Sequence, residues 1–260
     1  MEAMILPPAP PIGHNPRPVP EPPLAETLSR IPWLRHVRTA TIEHLARQAV
    51  LHRVPAGSIL FEQSEIPTFA PWLLRGAVEL VGVEGDNEVV IETVQPFDPL
   101  LPAAVLNRQP FLTRARALEP SHLALIQADT FRDAVASDHA LCLAILACEA
   151  AQFRRQVKQA KNLKLRPAED RVGCYLLSLV ERHPEATTIR LPIEKRRIAG
   201  QLGMTRETLS RTLAAMAKHG LRIAGDTVTV TDAATLRARF HLDPLIDAPE
   251  PIDPIAPLAP

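Results

Sequence analysis

The chain has 260 residues, of which 46% are hydrophobic and 22% charged, and its formal net charge is zero. This composition is enough to bury a core and is typical of one large or two small globular domains. No apolar run of about 18 residues and no basic-then-apolar leader occurs, so the sequence predicts no membrane-spanning helix and no export signal. Cys142, Cys148 and Cys174 lack the number and spacing of a structural zinc or iron–sulfur site. We therefore expect a cytoplasmic protein with reduced thiols.

The zero net charge conceals an uneven distribution. Residues 152–222 carry 16 Lys/Arg against 6 Asp/Glu, whereas residues 1–151 carry 11 against 17. A basic block of this density is typical of a surface that binds phosphate backbones. A solvated helical face would have the same composition, so charge alone leaves both readings open.

Prolines mark the two ends of the folded part. Ten of the 27 prolines lie in residues 1–32 and six in residues 244–260. Proline lacks a backbone N–H and interrupts helices. We therefore predict disordered, proline-rich arms over residues 1–33 and 242–260.

From Arg53 to about Ala128 the pattern is that of short strands separated by turn residues. β-branched and large apolar residues predict strands at Ser58–Glu62, Trp72–Leu74, Ala77–Val83, Glu88–Val94 and Leu123–Ile126. A helix at Thr41–Gln48 precedes them, and Ala103–Leu106 predicts a helical turn. The near-regular spacing of the strands predicts a small β-sandwich or roll over residues 34–136.

Residues 128–165 contain neither glycine nor proline, which predicts a helix longer than the globular average. We place a dimerisation helix at residues 137–164, because a heptad-like stripe runs along it. The predicted dimer interface consists of Leu141, Ile145, Cys148 and Gln152. Periodicity alone leaves open a helix that packs into its own core.

Residues 165–241 have the pattern of a winged helix-turn-helix. The predicted elements are a helix at Ala168–Val180, a strand at Thr188–Leu191, helices at Ile193–Leu202 and Thr205–His219, and a hairpin over Leu221–Thr231. Gly203 supplies the turn between the last two helices, and Gly220 ends the second of them.

The second helix of that pair would expose the residues at its N-terminal end, which in such domains contact base edges in the major groove. Arginine suits guanine and glutamate can accept from cytosine, although such a pair is more commonly a surface salt bridge. We predict contacts to double-stranded DNA from Lys195, Thr205, Arg206, Glu207, Ser210 and Arg211. The sequence shows no nucleophile elbow, Walker loop, metal-ligand pair or dinucleotide fingerprint, so it predicts no enzyme and no metal site.

The segment KRRIAGQLGMTRETLSRTLAAMAKHGLRI, which is Lys195–Ile223, resembles the DNA-binding domain of the cyclic-AMP receptor protein/fumarate-nitrate reduction regulator (Crp/Fnr) superfamily. The upstream order of elements matches as well, over about residues 34–240. The resemblance implies an α+β fold with a cyclic-nucleotide-binding-like β-roll, a dimerisation helix and a winged helix-turn-helix. It implies a homodimeric transcription regulator whose partners are DNA, RNA polymerase and a small effector. Glu207, Ser210 and Arg211 match the E-x-x-S-R pattern of the family's oxygen-responsive branch, which implies a TTGA-type half-site. Arg206 stands where the cyclic-AMP branch has a third base-reading arginine, so the combination is a hybrid of the two branches.

The cassette that holds cyclic nucleotides in this family is altered here. Pro96-Phe97-Asp98 stands at the family's Pro-Gly-Asp turn, Leu101-Pro102 at its Gly-Glu, and Phe111-Leu112 at its Arg-Ser. We therefore expect an effector other than cyclic AMP, in a pocket formed by Leu101, Phe111, Arg114 and Arg116. The alternation Arg-Ala-Arg at residues 114–116 also fits charges on a strand surface.

The nature of the effector and of any cofactor stays open. His122, His139, Cys142 and Cys148 are residue types that ligate haem in some gas-sensing relatives. An iron–sulfur cluster is not expected. The alternatives are a cyclic-nucleotide- or haem-sensing regulator, or a non-catalytic nucleotide-binding or protein-docking module.

Overall fold

The computed structural model describes residues 22–191 and 193–248. In chain order they form α1 (Leu24–Ser29), α2 (Thr39–Arg47), β1 (Ala49–Val54), β2 (Ile59–Phe61), β3 (Phe69–Arg75), β4 (Val78–Glu84), β5 (Asn87–Val94), α3 (Pro102–Asn107), β6 (Arg114–Ala117), β7 (Ser121–Gln127), α4 (Ala128–Ser137), α5 (His139–Leu165), α6 (Ala168–Arg182), β8 (Thr188–Arg190), α7 (Lys195–Gln201), α8 (Arg206–Ala215), β9 (Leu221–Ala224), β10 (Thr227–Val230), α9 (Ala233–Arg239) and α10 (Pro244–Asp247). Within this part of the chain no single helix is long and apolar enough to cross a membrane. Only α4 and α5 taken together, across a bend of 111°, meet that criterion of length and composition.

The predicted β-roll is confirmed. Two antiparallel sheets, ordered β1-β7-β3 and β2-β6-β4-β5, face each other across an apolar core. Leu73 and Leu123 enter this core from the first sheet, and Val78, Leu80 and Ala115 from the second. β1 was not predicted, because Val50 and Leu51 are both exposed and the strand lacks the alternation that marks a half-buried strand.

The outer face of the β1-β7-β3 sheet carries a helical layer with its own core. This layer consists of α1, α2, α4 and the first half of α5, packed on Trp72, Ala124 and Ile126. The predicted disorder of residues 1–33 is wrong for residues 22–33. Leu28 and Ile31 are completely buried there, because their spacing places both on the sheet side of α1 and the turn after it. Residues 1–21 lie outside the described residues.

The long helix predicted at residues 137–164 is present as α5, and the rest of the glycine- and proline-free run forms a separate helix, α4, which meets α5 at Asp138. Its carboxylate accepts from the backbone amides of Ala140 (3.0 Å) and Leu141 (3.4 Å), which caps the start of α5. The same carboxylate accepts from Thr41 Oγ1 (2.6 Å) and Arg38 Nε (3.1 Å). The buried Asp138 therefore fixes the direction in which the long helix leaves the roll.

The predicted winged helix-turn-helix is confirmed. The three-stranded sheet β8-β10-β9 packs with α6, α7 and α8 around a second core that includes Val172, Leu209 and Met216. An additional helix, α9, brings Phe240 against Gly173, where an added Cβ would lie 2.2 Å from the phenyl ring. Gly173 is therefore required by close packing.

The predicted disorder of residues 242–260 is wrong for residues 242–248. Asp247 forms a two-pronged ion pair with Arg166, whose Nη1 and Nη2 each donate at 2.7 Å. Lys158 Nζ donates to the carbonyl oxygen of Ala248 (2.8 Å), and Lys161 lies 3.8 Å from Asp243. Acidic side chains and helix-terminal carbonyls thus attach this segment to the basic end of α5. Residues 249–260 lie outside the described part of the chain.

Replacement of Asp138 by alanine should lower the free energy of unfolding at pH 7 by about 2–3 kcal/mol. The change removes a helix cap and leaves Thr41 and Arg38 without their acceptor. Burial raises the pKa of Asp138, but the hydrogen bonds from Thr41, Arg38 and the Leu141 amide outweigh it and lower the pKa to about 2. The stabilisation is therefore complete above the ordinary pKa of 3.8 and is lost as the pH falls towards 2.

Urea unfolding at several pH values measures this difference. Asp133→Ala, an exposed change on α4, is the matched control and should cost less than about 0.5 kcal/mol. Equal stability of the Asp138→Ala and parent proteins at pH 7 would contradict the assigned role.

Candidate nucleic-acid interface and sensor site

The helix α8 presents a polar face at its N-terminal end. Thr205 caps the helix, since its Oγ1 accepts from the amide of Thr208 (3.2 Å). Leu209 and Leu213 lie on the buried side of α8 and fix the orientation of this helix. The predicted DNA-contacting residues of this helix are all exposed, and they are Arg206, Glu207, Ser210 and Arg211.

The charge of this face is maintained by local contacts. Hydrogen bonds from its own backbone amide and from Thr205, together with Arg206 and Arg211, hold the pKa of Glu207 below its ordinary value. Glu207 therefore stays ionised and can act only as an acceptor near neutral pH. Lys195 lies at the start of α7 and is half-buried, so it is placed on the first helix of the pair.

The turn between α7 and α8 packs on the end of the long helix. Gly203 has a positive φ of 60°, and an added Cβ would lie 2.3 Å from Leu163 Cδ2. Gln159 Nε2 donates to the carbonyl oxygen of Gln201 (2.6 Å). The position of the helix-turn-helix is thus tied to α5, a connection that the sequence pattern did not indicate.

A cleft of about 890 Å³ separates the roll from the helix-turn-helix formed by α7 and α8, which we call the reading head. Its roll side includes Glu79, Glu88 and Arg116, and its other side includes Thr205 and Arg206. Gly200 and Val90 also line the cleft, and an added Cβ on Gly200 would lie 3.4 Å from Val90 Cβ. The N-terminal end of α8 therefore faces the roll in this arrangement.

The four residues predicted for an effector pocket do not come together. Phe111 is buried in the roll and stacks on Phe61 with the ring centroids 3.7 Å apart, and Leu101 packs against the same core. Arg114 and Arg116 project from the opposite face of β6, because the alternating residues Ala115 and Ala117 are the ones that enter the core. The predicted pocket is therefore wrong.

The two arginines are neutralised on that outer face. Arg114 donates to Glu62 (2.7 Å) and Glu88 (2.5 Å), and Arg116 donates to Glu79 (2.6 Å) and Glu88 (3.0 Å). Arg114 and Arg116 are therefore charges on a strand surface, which is the alternative interpretation of the Arg-Ala-Arg alternation.

Two residues of the altered cassette have a left-handed backbone conformation. Phe97 and Leu101 have positive φ values of 77° and 49°, and both stand where the sequence resemblance has glycine. A bulky residue in this region costs roughly 1–2 kcal/mol. Both positions therefore adopt a backbone conformation that favours glycine, although neither residue is glycine.

The haem candidates are dispersed. His139 and Cys142 are exposed at the start of α5, Cys148 is buried in the helical layer, and His122 lies in β7. Burial raises the pKa of the Cys148 thiol, which disfavours the thiolate that binds iron. Within residues 22–191 and 193–248, no three His, Cys, Asp or Glu side chains are grouped as metal ligands.

Three of the four residues predicted for the dimer interface lie in the protomer's own core. Leu141, Ile145 and Cys148 are 0%, 3% and 0% exposed, so the prediction is wrong for these three. Gln152 is half-buried and donates to the carbonyl oxygen of Pro99 (3.3 Å). The opposite side of α5 exposes another apolar stripe, formed by Leu143, Leu146, Phe153 and Val157.

The long helix also holds the cassette loop. Arg155 Nε donates to Glu92 Oε1 (2.7 Å), and Arg155 Nη2 lies 3.6 Å from Asp98 Oδ2. Burial raises the pKa of Asp98 to about 6, although Arg155 opposes this shift. A displacement of residues 97–101 would therefore change the contact between Asp98 and Arg155 and so act directly on α5.

Comparison with known proteins agrees with both halves of this architecture. A model of the Crp-like helix-turn-helix domain matches residues 170–239, and a model of the cyclic nucleotide-binding domain matches residues 51–138. The cAMP-activated global transcriptional regulator CRP of Pasteurella multocida is 24% identical over 197 residues, which are 73% of this chain and 94% of the relative. The nitrogen fixation regulation protein FixK of Azorhizobium caulinodans is 25% identical over 218 residues, which are 78% of this chain and 86% of the relative.

Among solved structures, FixK2 from Bradyrhizobium japonicum has a TM-score of 0.60 at 20% identity, and the match covers 75% of this chain and 98% of that one. This likeness concerns the fold. The two domain models together span more than half of the chain and occur in the same order as the two described domains. The chain therefore belongs to the Crp/Fnr family of DNA-binding transcription regulators.

Proposed function

We propose that the protein acts as a homodimer on a palindromic TTGA-like operator and responds to an effector other than cyclic AMP. The observation that carries the proposal is the exposed polar face at the N-terminal end of α8, where Arg206, Glu207, Ser210 and Arg211 share one side of a capped helix. RNA polymerase is the expected further partner.

Sequence readout would come from these four side chains. Arg211 can donate two parallel hydrogen bonds to a guanine, and ionised Glu207 can accept from a cytosine amino group. The surrounding lysines and arginines would bind phosphates and supply the salt-dependent part of the affinity. Base contacts would thus decide the site, and phosphate contacts the orientation.

A palindromic site requires two reading heads related by a two-fold axis. The exposed stripe of Leu143, Leu146, Phe153 and Val157 is the surface of α5 that the protomer does not use. Pairing of two such stripes in parallel orientation would bury a continuous apolar seam and bring the two α8 helices to the same end of the helix pair, because Leu163 at the end of α5 contacts the turn before α8.

An effector would act by shifting an equilibrium between two arrangements of the reading head. The contacts described above join the sensor to the DNA-binding domain through α5. Arg155 holds Glu92 and Asp98 of the roll, and Leu163 contacts the turn at Gly203. In the described arrangement Arg206 lines the cleft facing the roll, so opening of this cleft would make it accessible to DNA.

Cyclic AMP fits the roll poorly. A buried phosphate needs a cationic or amide partner, because an unpaired buried charge is strongly unfavourable. The roll interior holds the stacked Phe61 and Phe111 instead, while Arg114 and Arg116 are paired with glutamates on the other face. This chain would thereby differ from its relative from Pasteurella multocida, which is named as cAMP-activated.

Replacement of Arg211 by alanine should weaken binding to a duplex with an inverted TTGA repeat by roughly 1–3 kcal/mol, because a bidentate base contact is lost. Binding to a scrambled duplex should be nearly unchanged. Fluorescence anisotropy at several salt concentrations measures both. Arg237→Gln, a change of an exposed arginine on α9, is the control. Equal affinity of the parent and Arg211→Ala for the repeat would refute the reading face, and salt-dependent binding without sequence preference would favour the docking-module alternative.

Replacement of Phe153 by aspartate should convert dimers to monomers, since it places a charge in the proposed seam. Phe153 is 69% exposed in the protomer, so the fold should be retained. Light scattering gives the mass, and circular dichroism checks the fold. Ile145→Asp, in contrast, should destabilise the protomer itself, because Ile145 is in the core. A Phe153→Asp protein that remains dimeric would place the interface elsewhere.

Calorimetric titration of the full-length protein with millimolar cyclic AMP or cyclic GMP should show no heat of binding. Micromolar binding that disappears in Arg114→Ala would mean that Arg114 leaves its glutamates to hold the phosphate, and the proposed non-nucleotide effector would be abandoned.

A further inference from the structure

The roll has a second concave site, away from the altered cassette. An open cavity of about 470 Å³ lies between α1 and the outer face of the β1-β7-β3 sheet. This volume is within the range of small-molecule sites. The residues that line it are Pro22, Leu24, Thr27, Arg30, Leu51, Leu74, Arg75, Phe97 and His122.

The apolar floor of this cavity is formed by Leu51, Leu74 and Phe97. Leu51 is 39% exposed and Phe97 is 36% exposed, so part of this floor is accessible to solvent. An apolar body placed there would remove this surface from water, which is favourable in proportion to the area covered.

The charged side chains around the floor are cationic. Arg30 and Arg75 line the cavity together with His122, and no carboxylate is among the described lining residues. Arg30 already pairs with Glu26 on its exposed side, at 2.6 Å. Arg75 has no side-chain hydrogen bond or ion pair within the described residues, so its guanidinium is available to an incoming anion.

We propose that this cavity binds a small amphipathic anion, an apolar chain or ring that carries one carboxylate or a similar acidic group. The apolar part would lie on Leu51, Leu74 and Phe97, and the acid would face Arg75. Charge complementarity selects this class of ligand, because neither a neutral nor a cationic molecule of the same shape would satisfy Arg75.

The cavity is also connected to the long helix. Phe97, which is part of the cavity floor, donates from its backbone amide to the carbonyl oxygen of Leu73 (2.6 Å). It precedes Asp98, whose carboxylate lies 3.6 Å from Arg155 of α5. A ligand that packs against Phe97 would displace the chain at Asp98. That the bound anion acts as the effector rests on the proposed function, whereas the binding itself does not.

Decanoate is a suitable probe, with decan-1-ol and decyltrimethylammonium as neutral and cationic analogues of equal chain length. In calorimetric titrations of the full-length protein, decanoate should bind at least tenfold more tightly than either analogue. Arg75→Gln should weaken decanoate binding at least tenfold, and Leu51→Asp should abolish it by placing a carboxylate on the floor.

Arg108→Gln and Val50→Asp are the matched controls and should leave decanoate binding within twofold of the parent. Arg108 is exposed outside the cavity, and Val50 is an exposed neighbour of Leu51 that does not line it. Arg75→Gln leaves the apolar floor intact, so its result stands even if Leu51→Asp fails to fold. Absence of heat with decanoate would overturn the proposal. Equal binding of the three probes, or no effect of Arg75→Gln, would also overturn it.

The regulatory part is tested by adding decanoate to the DNA-binding assay with the inverted TTGA repeat. Ligand and DNA must affect each other's affinity equally if they are coupled. The repeat affinity should change at least threefold in the parent and not in Arg75→Gln. Decanoate binding without this change would refute the effector role alone. Absence of repeat binding with or without decanoate would refute the proposed operator, while the calorimetric result for the cavity would stand.

Discussion

The 27-residue helix α5 packs against both domains and keeps one side exposed. The arrangement of the other described elements depends on this constraint. The first half of α5 can be buried in the roll's helical layer only if its direction is fixed at the start. Asp138 fixes it by capping α5 and binding Arg38 and Thr41 of the preceding chain. The second half then reaches the winged domain, where Leu163 lies against Gly203.

The same helix explains which features could be predicted from sequence. Its length follows directly from the absence of glycine and proline, but the side that remains exposed does not. Apolar residues surround the first half of α5 on all sides, so Leu141 and Leu143 look equivalent in sequence. Only the tertiary contacts distinguish them, because Leu141 is completely buried and Leu143 is 44% exposed. The bend at Asp138 was missed for a similar reason, since its partners Arg38 and Thr41 are about a hundred residues away in the chain.

The winged domain was predicted more completely because its signals are local. Thr205, Gly203 and Gly220 mark the boundaries of its elements through their own backbone preferences, and the structure places them as a cap and two residues with positive φ. The β-roll was predicted correctly, but the effector pocket predicted within it was wrong. The strands follow from residue type, whereas the destination of Arg114 and Arg116 depends on glutamates from β4, β5 and the β2–β3 connection. The ends of the folded chain were misjudged because proline content outweighed the few apolar and acidic residues that make contacts there.

The attachment of the C-terminal segment has a mechanical consequence. Along the chain, only residues 166–167 join α5 to α6, which would ordinarily allow the winged domain to swivel on α5. Asp247, however, lies beyond the far end of that domain and is paired with Arg166 at the swivel point. The domain is therefore fastened to the long helix at both ends of its own sequence. As long as the Arg166–Asp247 ion pair is intact, the winged domain cannot rotate without bending the end of α5. The two motions are therefore coupled into one.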